Sequence, residues 1–223
     1  MIKAAVFDVD GTLLDSMPVW LNAGARYLQR CGIKAENGLE QKLFTLTMEE
    51  GAAYLRRTYG LNRNNAQIIE GINDAVYDFY LHEAPMKPHV KCFLDGLQAR
   101  GIPMAIATST DRYLIEAAFE RLKIRAYFTE ILTCTEIGAG KSKPDIFLRA
   151  AELLCAAPAY TWVFEDGLYA AHTAHTAGFK TVGVFDARSS GDRTALKEIT
   201  DIYLEDFKDF NGFFTEAEQE GHP

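Results

Sequence analysis

The sequence predicts an α/β fold, a doubly wound parallel sheet, with a small all-helical domain inserted after the first strand. Three observations carry that expectation. From residue 85 onward, strand-length apolar runs alternate with helix-length amphipathic ones, the rhythm of right-handed crossovers and of a parallel sheet covered on both faces. A further apolar run, "IKAAVFD", opens the chain and supplies one more strand to the same sheet. Between these two regions, residues 16–84 show helical periodicity only. A chain of 223 residues is long for one domain and short for two, which suits a core with one insertion. The expected division is therefore a Rossmann-like core over residues 1–15 and 85–223, and a helical insertion over 16–84 that would form a lid over the edge where the first strand ends.

Each element has its own local reason. "IKAAVFD" is rich in β-branched and apolar residues and too short for a helix. "DSMPVWLNAGARYLQRCG" offers Asp15 or Ser16 as a cap and Pro18 in the first turn. Its Trp20, Ala23, Tyr27 and Cys31 recur at helical spacing, and Gly32 stops it. "TMEEGAAYLRRTYG" pairs Thr47 with Glu50 as a capping box and ends at Gly60. "NAQIIEGINDAVYDFYLHEAP" keeps Ile68, Ile69, Ile72, Val76, Phe79 and Tyr80 on one face, at core spacing, and ends before Pro85. Beyond it come a helix closed by Gly101, the strand "PMAIATS", the helix "RYLIEAAFERL", the strand "EILTC" and the helix "PDIFLRAAELL". The strand "TWVFED", the helix "AAHTAHTAG" and the strand "KTVGVFD" follow. The tail from Gly212, with Glu216, Glu218 and Glu220, reads as a solvated or frayed end.

Composition narrows the function classes. A formal charge of -8 disfavours a general polyanion binder, because neutralising nucleic-acid phosphates needs a dense basic face. The apolar runs are far shorter than a membrane span, and the N-terminus lacks the apolar region and cleavage site of a secretory signal, so a cytoplasmic protein without a membrane segment is expected. Cys31, Cys92, Cys134 and Cys155 form no CxxC pair and read as four reduced, partly buried thiols.

In a parallel α/β sheet, ligands bind beyond the carboxyl ends of the strands. The residues delivered there are Asp8 and Asp10 after the first strand, Thr108 and Ser109 after "AIA", Lys141 in "GAGKSKPD", and Glu165 with Asp166 in "VFED". Clustered carboxylates repel unless a cation sits among them, and an all-oxygen set suits Mg²⁺ over a soft metal. Mg²⁺ held by one or two carboxylates commonly takes further ligands from a phosphate, and Thr108, Ser109 and Lys141 are suited to its other oxygens. Asp8 is then placed to attack phosphorus while Asp10, beyond the turn at Gly11, protonates the leaving oxygen and later takes a proton from water. A calcium loop starting at Asp8 is disfavoured, because its sixth and twelfth positions are Leu13 and Val19.

"DVDGT", "ATS", "GKSKPD" and "VFED" followed by "AAHTAHTAGF", in that order, resemble the four motifs of the haloacid dehalogenase-like superfamily. The resemblance covers essentially the whole chain, and the insertion is similar to the helical cap of the β-phosphoglucomutase and phosphoglycolate phosphatase branch. It implies Asp8 as nucleophile and metal ligand, and Asp10 as acid/base and as a metal ligand through its backbone carbonyl. It further implies Asp166 as the second metal carboxylate, with Glu165 a possible further ligand. Thr108 would hold the transferred phosphate with Ser109 close by, and Lys141 would neutralise Asp8 and the phosphoryl group. The implied enzyme is a Mg²⁺-dependent phosphatase acting on a small phosphorylated metabolite. A sugar phosphomutase using the same aspartyl-phosphate is the nearest alternative, and a non-catalytic binding protein on the same fold a more distant one.

Three departures matter. Gly167 stands where the family commonly has serine, and "KSKPD" replaces KPxPD, leaving Lys143 as a rival to Lys141. Trp20 stands near a histidine of the mutase branch, which weakens the mutase reading. Arg56, Arg57 and Arg63 are candidates for contacting the rest of the substrate, although a solvated helix face explains each one singly. His172 and His175, three apart on a helix, are read as surface or packing residues ahead of a metal pair.

Overall fold

The computed structural model describes residues 1–44, 46, 48–188 and 190–220, so Thr47, expected to cap a helix, lies outside the described residues. The chain divides into two units, Met1–Asp15 with Pro85–Pro223, and Ser16–Ala84. In order the elements are β1 (Ala4–Phe7), α1 (Met17–Arg30), α2 (Leu39–Phe44), α3 (Met48–Tyr59), α4 (Asn65–His82), α5 (Val90–Ala99), β2 (Met104–Thr108), α6 (Arg112–Leu122) and β3 (Phe128–Thr133). There follow α7 (Cys134–Ile137), α8 (Asp145–Leu153), β4 (Thr161–Glu165), α9 (Leu168–Thr176), β5 (Lys180–Val184), α10 (Arg193–Ile199), β6 (Ile202–Leu204) and α11 (Phe210–Glu220). No helix is long and apolar enough to cross a membrane, among the described residues.

The first unit is built on a six-stranded parallel sheet in the order β3-β2-β1-β4-β5-β6. β1 lies at its centre, and all four of its residues are buried. That explains why its sequence is a continuous apolar run where a one-faced strand would alternate. Ala4 and Val6 join Ala105, Ala107, Val163 and the inner faces of α8 and α9 in one cluster. Phe7 serves the other face, stacked on Phe164 with ring centroids 4.3 Å apart, and Phe93 of α5 meets Phe164 edge-on at 5.7 Å. Each such buried aromatic contributes about 1.5–3 kcal/mol.

The carboxyl-terminal segment corrects the expectation of a frayed tail. α11 runs to Glu220, Phe213 and Ala217 are buried, and the Phe213 ring lies 4.9 Å from Phe93 and 5.5 Å from Phe164. Glu218 also accepts a hydrogen bond from the Ile2 backbone N–H at 2.9 Å. The apolar face of α11, Phe210, Phe213, Phe214 and Ala217, recurs at helical spacing beneath an acidic composition. β6 and α10 add to the expected elements. β6 has three residues, too few for a periodic signal, and is anchored by Asp201, which accepts from Lys180 Nζ at 2.6 Å and from the Thr181 N–H at 2.8 Å. The cysteines also differ from expectation, since Cys92 and Cys155 are exposed and only Cys31 and Cys134 are half-buried.

The Ser16–Ala84 unit comprises α1 to α4, with α1 and α3 both packed on α4. Pro18 sits in the first turn of α1, where a missing N–H costs nothing. α4 is capped by Asn64, whose side chain accepts from the Gln67 N–H while the Gln67 side chain accepts from the Asn64 N–H. On α4, Ile68, Ile72, Val76, Phe79 and Tyr80 are buried and Ile69 is half-buried. Trp20 departs from the expected buried face of α1: it is 40% exposed, and its indole N–H donates to Tyr80 Oη at 3.1 Å.

Candidate active site

The carboxyl end of β1 continues into Asp8, whose N–H donates to the Phe164 carbonyl at 3.0 Å, one step beyond the paired strand. The chain then turns sharply. The Val9 carbonyl accepts from the N–H groups of Thr12, Leu13 and Leu14, and Gly11 sits at φ 89°, a left-handed conformation that a side chain disfavours. A Cβ at Gly11 would also collide with the Asp166 carboxylate, so glycine is required twice over. The turn lets the Thr12 hydroxyl donate to Asp166 Oδ1 at 3.3 Å, which ties the end of β1 to the end of β4.

Lys141 comes from the loop between α7 and α8 and is 3% exposed. Its ammonium donates to Asp8 Oδ1 and, at 2.5 Å, to Glu165 Oε1. Lys143, the alternative lysine, is exposed. Asp8, Glu165 and Asp166 are all buried and offer ligand oxygens within 4.8 Å of one another. One buried ammonium therefore faces three buried carboxyl groups, an arrangement short of positive charge. An all-oxygen donor set with that deficit fits a hard divalent cation such as Mg²⁺.

The electrostatics follow from this crowding. Burial pushes the Glu165 carboxyl up; Lys141 opposes that, and the charges of Asp8 and Asp166 reinforce it. Burial alone would lower the Lys141 ammonium, but the charges of Asp8 and Glu165 outweigh it and hold Lys141 above its ordinary value. Lys141 is thus a fixed cation with three protons to donate, two of them already given to carboxylates.

At the end of β2, Thr108 is fully buried, and its hydroxyl oxygen accepts from the Thr110 N–H at 3.1 Å, leaving the hydroxyl proton to be donated. Ser109 is exposed, with its Oγ 3.6 Å from Cys134 Sγ. The hydroxyl of Thr110 donates to Asp10 Oδ2 at 2.6 Å. The rim thus assembles Asp8, Lys141, Glu165 and Asp166 into one cluster, with Asp10 joined through Thr110 to the Thr108–Ser109 turn.

Three participants escaped the sequence reading: Thr12, Thr110 and Tyr169. The "DGT" and "TST" strings were visible, but nothing in them says which hydroxyl turns toward which carboxylate. Tyr169 is 59% exposed in the first turn of α9; burial and the charge of Glu165 push its phenol up, against Lys141. A Cβ at Gly167 would lie 3.5 Å from the Tyr169 ring and 3.6 Å from Glu165 Oε2, ordinary contacts, so this glycine is not sterically required.

The remaining candidates lie elsewhere. His172 and His175 are exposed, and His175 Nδ1 is 4.0 Å from Asp201; they join no three-ligand group among the described residues. Arg56, Arg57 and Arg63 are exposed, with the Arg63 guanidinium 6.0 Å from the Tyr27 ring. The Ser16–Ala84 unit has a cavity of about 120 Å³ lined chiefly by apolar side chains, among them Trp20, Leu43, Met48 and Ile72, and none of the three arginines borders it.

Known proteins resemble this one in sequence and fold over nearly the whole chain. The family model for haloacid dehalogenase-like hydrolases matches residues 5–184. The phosphorylated carbohydrates phosphatase of Thermotoga maritima is 25% identical over 204 residues, covering 91% of this chain and 94% of its own length. The phosphoglycolate phosphatase of Escherichia coli O157:H7 is 27% identical over 224 residues, covering 91% and 88%. The fold is also similar to the solved structure of a Thermotoga maritima protein described as a candidate β-phosphoglucomutase, with a TM-score of 0.82, 22% identity, and 96% and 99% of the two chains covered. The chain belongs to the haloacid dehalogenase-like hydrolase family.

Proposed function

We propose that this protein is a Mg²⁺-dependent phosphatase that hydrolyses a small phosphorylated metabolite through an aspartyl-phosphate, with residues 16–84 acting as the substrate-selecting cap. The observation that carries this reading is the buried group of Asp8, Lys141, Glu165 and Asp166 at the carboxyl ends of β1 and β4. Two relatives named as phosphatases, one for phosphorylated carbohydrates and one for phosphoglycolate, support the reaction class.

Asp8, Asp166 and Glu165 would hold the Mg²⁺, with Asp10 contributing its backbone carbonyl. When bound, the ion supplies positive charge that offsets the negative charge of the phosphoryl oxygens. A carboxylate oxygen of Asp8 forms a bond to phosphorus as the ester P–O bond breaks, and Asp10 gives its proton to the leaving oxygen. Thr108, Ser109 and the remaining Lys141 proton donate to the phosphoryl oxygens, whose charge rises in the transition state. Asp10, now ionised, takes a proton from water; the resulting hydroxide oxygen bonds to phosphorus, and the bond to Asp8 breaks to release inorganic phosphate. Lys141 donates to Asp8 Oδ1, so its positive charge lies against the nucleophile and beside the phosphoryl group that the nucleophile takes up.

The test is a phosphate-release screen with Mg²⁺ over sugar phosphates, phosphoglycolate, nucleotides and pyridoxal phosphate, with Asp8→Asn as control. Turnover lost in Asp8→Asn supports the reading, and no release from any ester by wild-type protein overturns it. A reaction that conserves total ester and requires a bisphosphate activator would instead establish the phosphomutase.

A further inference from the structure

Thr110 is not among the residues that the motifs single out, yet it makes the short hydrogen bond to Asp10, which is 100 positions away in sequence. We propose that Thr110 is a positioning residue of Asp10: its hydroxyl holds Oδ2, so that Oδ1 carries the proton to the leaving oxygen. The proposal rests on the phosphatase reading above and adds to it a named determinant of proton delivery.

The geometry supports it from both ends. Thr110 is 8% exposed, and its own N–H is bound to the Thr108 hydroxyl oxygen at 3.1 Å, so the residue is fixed to the end of a buried strand. Its γ-methyl restricts χ1 and so the direction in which the hydroxyl is offered. On the other side, the turn through Gly11 fixes the backbone of Asp10, through the Val9 carbonyl bonds and the Gly11 N–H to Leu14 carbonyl bond at 2.9 Å. A fixed backbone does not orient an aspartate side chain, which keeps two torsions of its own. The Thr110 bond constrains that side chain at Oδ2.

The chemistry agrees with the donor's direction. An ionised Asp10 accepts from the Thr110 hydroxyl at Oδ2. When Asp10 is protonated at Oδ1, its Oδ2 is a carbonyl oxygen and still accepts the same bond. The hydroxyl therefore stays in place through the cycle, while the proton enters and leaves at the other oxygen. A residue serving mainly to bind the phosphoryl group would point its hydroxyl at that group and not at the acid.

The experiment compares Thr110→Val, which keeps the shape and removes the donor, with Thr110→Ser, which keeps the donor. kcat/KM reports the steps through leaving-group departure, and it is measured for an alkyl phosphate, whose leaving oxygen needs a proton, and for 4-nitrophenyl phosphate, whose leaving group departs as a stable anion. The expected result for Thr110→Val is a loss of about 10–100-fold on the alkyl ester, within the range that a positioned general acid contributes. That loss should be at least about tenfold larger than the loss on the aryl ester, and Thr110→Ser should recover most of it. Equal losses on the two esters, or none on either, would overturn the proposal while leaving the phosphatase reading standing. A crystal structure of Thr110→Val with the Asp10 carboxyl unmoved would overturn it too. The alkyl ester is one that the wild-type protein hydrolyses in the screen above, and release of phosphate from no ester in that screen would overturn both.

Discussion

Replacing Lys141 with methionine keeps the apolar stem and deletes the ammonium that bridges Asp8 and Glu165. The side chains of all three residues are nearly inaccessible, at 2%, 9% and 3% exposure respectively, so solvent gives little compensation. Removing one partner of a buried ion pair costs about 3–5 kcal/mol, because the other charge stays buried and unpaired. The carboxyl groups can relieve part of that cost by taking up a proton, and Glu165 is already shifted upward by burial and by Asp8 and Asp166. A carboxyl raised in the folded state is protonated there while its unfolded counterpart is not, so stability falls as pH rises from the ordinary carboxylate range, about 4.3, toward the folded value. Each proton so linked changes stability by at most about 1.4 kcal/mol per pH unit. In EDTA, urea unfolding followed by circular dichroism should show Lys141→Met about 3 kcal/mol less stable than wild type at pH 8, and wild type should lose more stability from pH 5 to pH 7 than Glu165→Gln does. Mg²⁺ at about 100 times its dissociation constant should return about 2.7 kcal/mol, since it binds the folded state. A variant with the wild-type midpoint at pH 8 in EDTA would refute the buried-pair argument. The same change in stability from pH 5 to pH 7 in wild type and Glu165→Gln would refute the upward shift of Glu165.

Two further substitutions probe the site and the core. Gly11→Ala places a side chain at positive φ, at about 1–2 kcal/mol, and drives its Cβ into the Asp166 carboxylate. Phosphate release should fall by about tenfold or more with unchanged far-ultraviolet circular dichroism, whereas Gly167→Ser, which meets only ordinary contacts, should stay within about threefold of wild type. Wild-type activity in Gly11→Ala would contradict the close approach of the turn to Asp166. Phe213→Ala should destabilise by about 3–5 kcal/mol in urea unfolding, because it empties an aromatic site between Phe93, Trp162 and Phe164. Glu216→Ala, on the exposed side of the same helix, should change stability by less than about 0.5 kcal/mol. Similar small effects from both would mean that α11 is not part of the core.

The parts of the site that could be read from sequence are those tied to strand ends. Asp8, Thr108, Glu165 and Asp166 end or directly follow buried apolar runs, and in a parallel sheet such positions converge by topology alone. Lys141 was harder, since "KSKPD" holds two lysines, and only the fold shows which one is buried. Thr12 and Thr110 were not legible, because their roles depend on side-chain direction at turns and on partners 154 and 100 residues away. The fold shows the same limit. Long periodic segments such as α4 read directly, while β6 was too short for a pattern and α11 was hidden by its glutamates. Trp20 sits at helical spacing with Ala23 and Tyr27, yet it lies at the margin of the buried face of α1, where spacing alone does not separate core from rim.

The central claim is that Asp8 takes up the phosphoryl group covalently, beside a divalent cation. The most direct measurement is a crystal structure of the protein with Mg²⁺ and beryllofluoride, a mimic of the phosphoryl group. The account predicts beryllium bonded to an Asp8 carboxylate oxygen, with Lys141 and Thr108 donating to the fluorides and Mg²⁺ held against Asp166. Beryllofluoride absent from Asp8 while Mg²⁺ occupies a different set of ligands would contradict it.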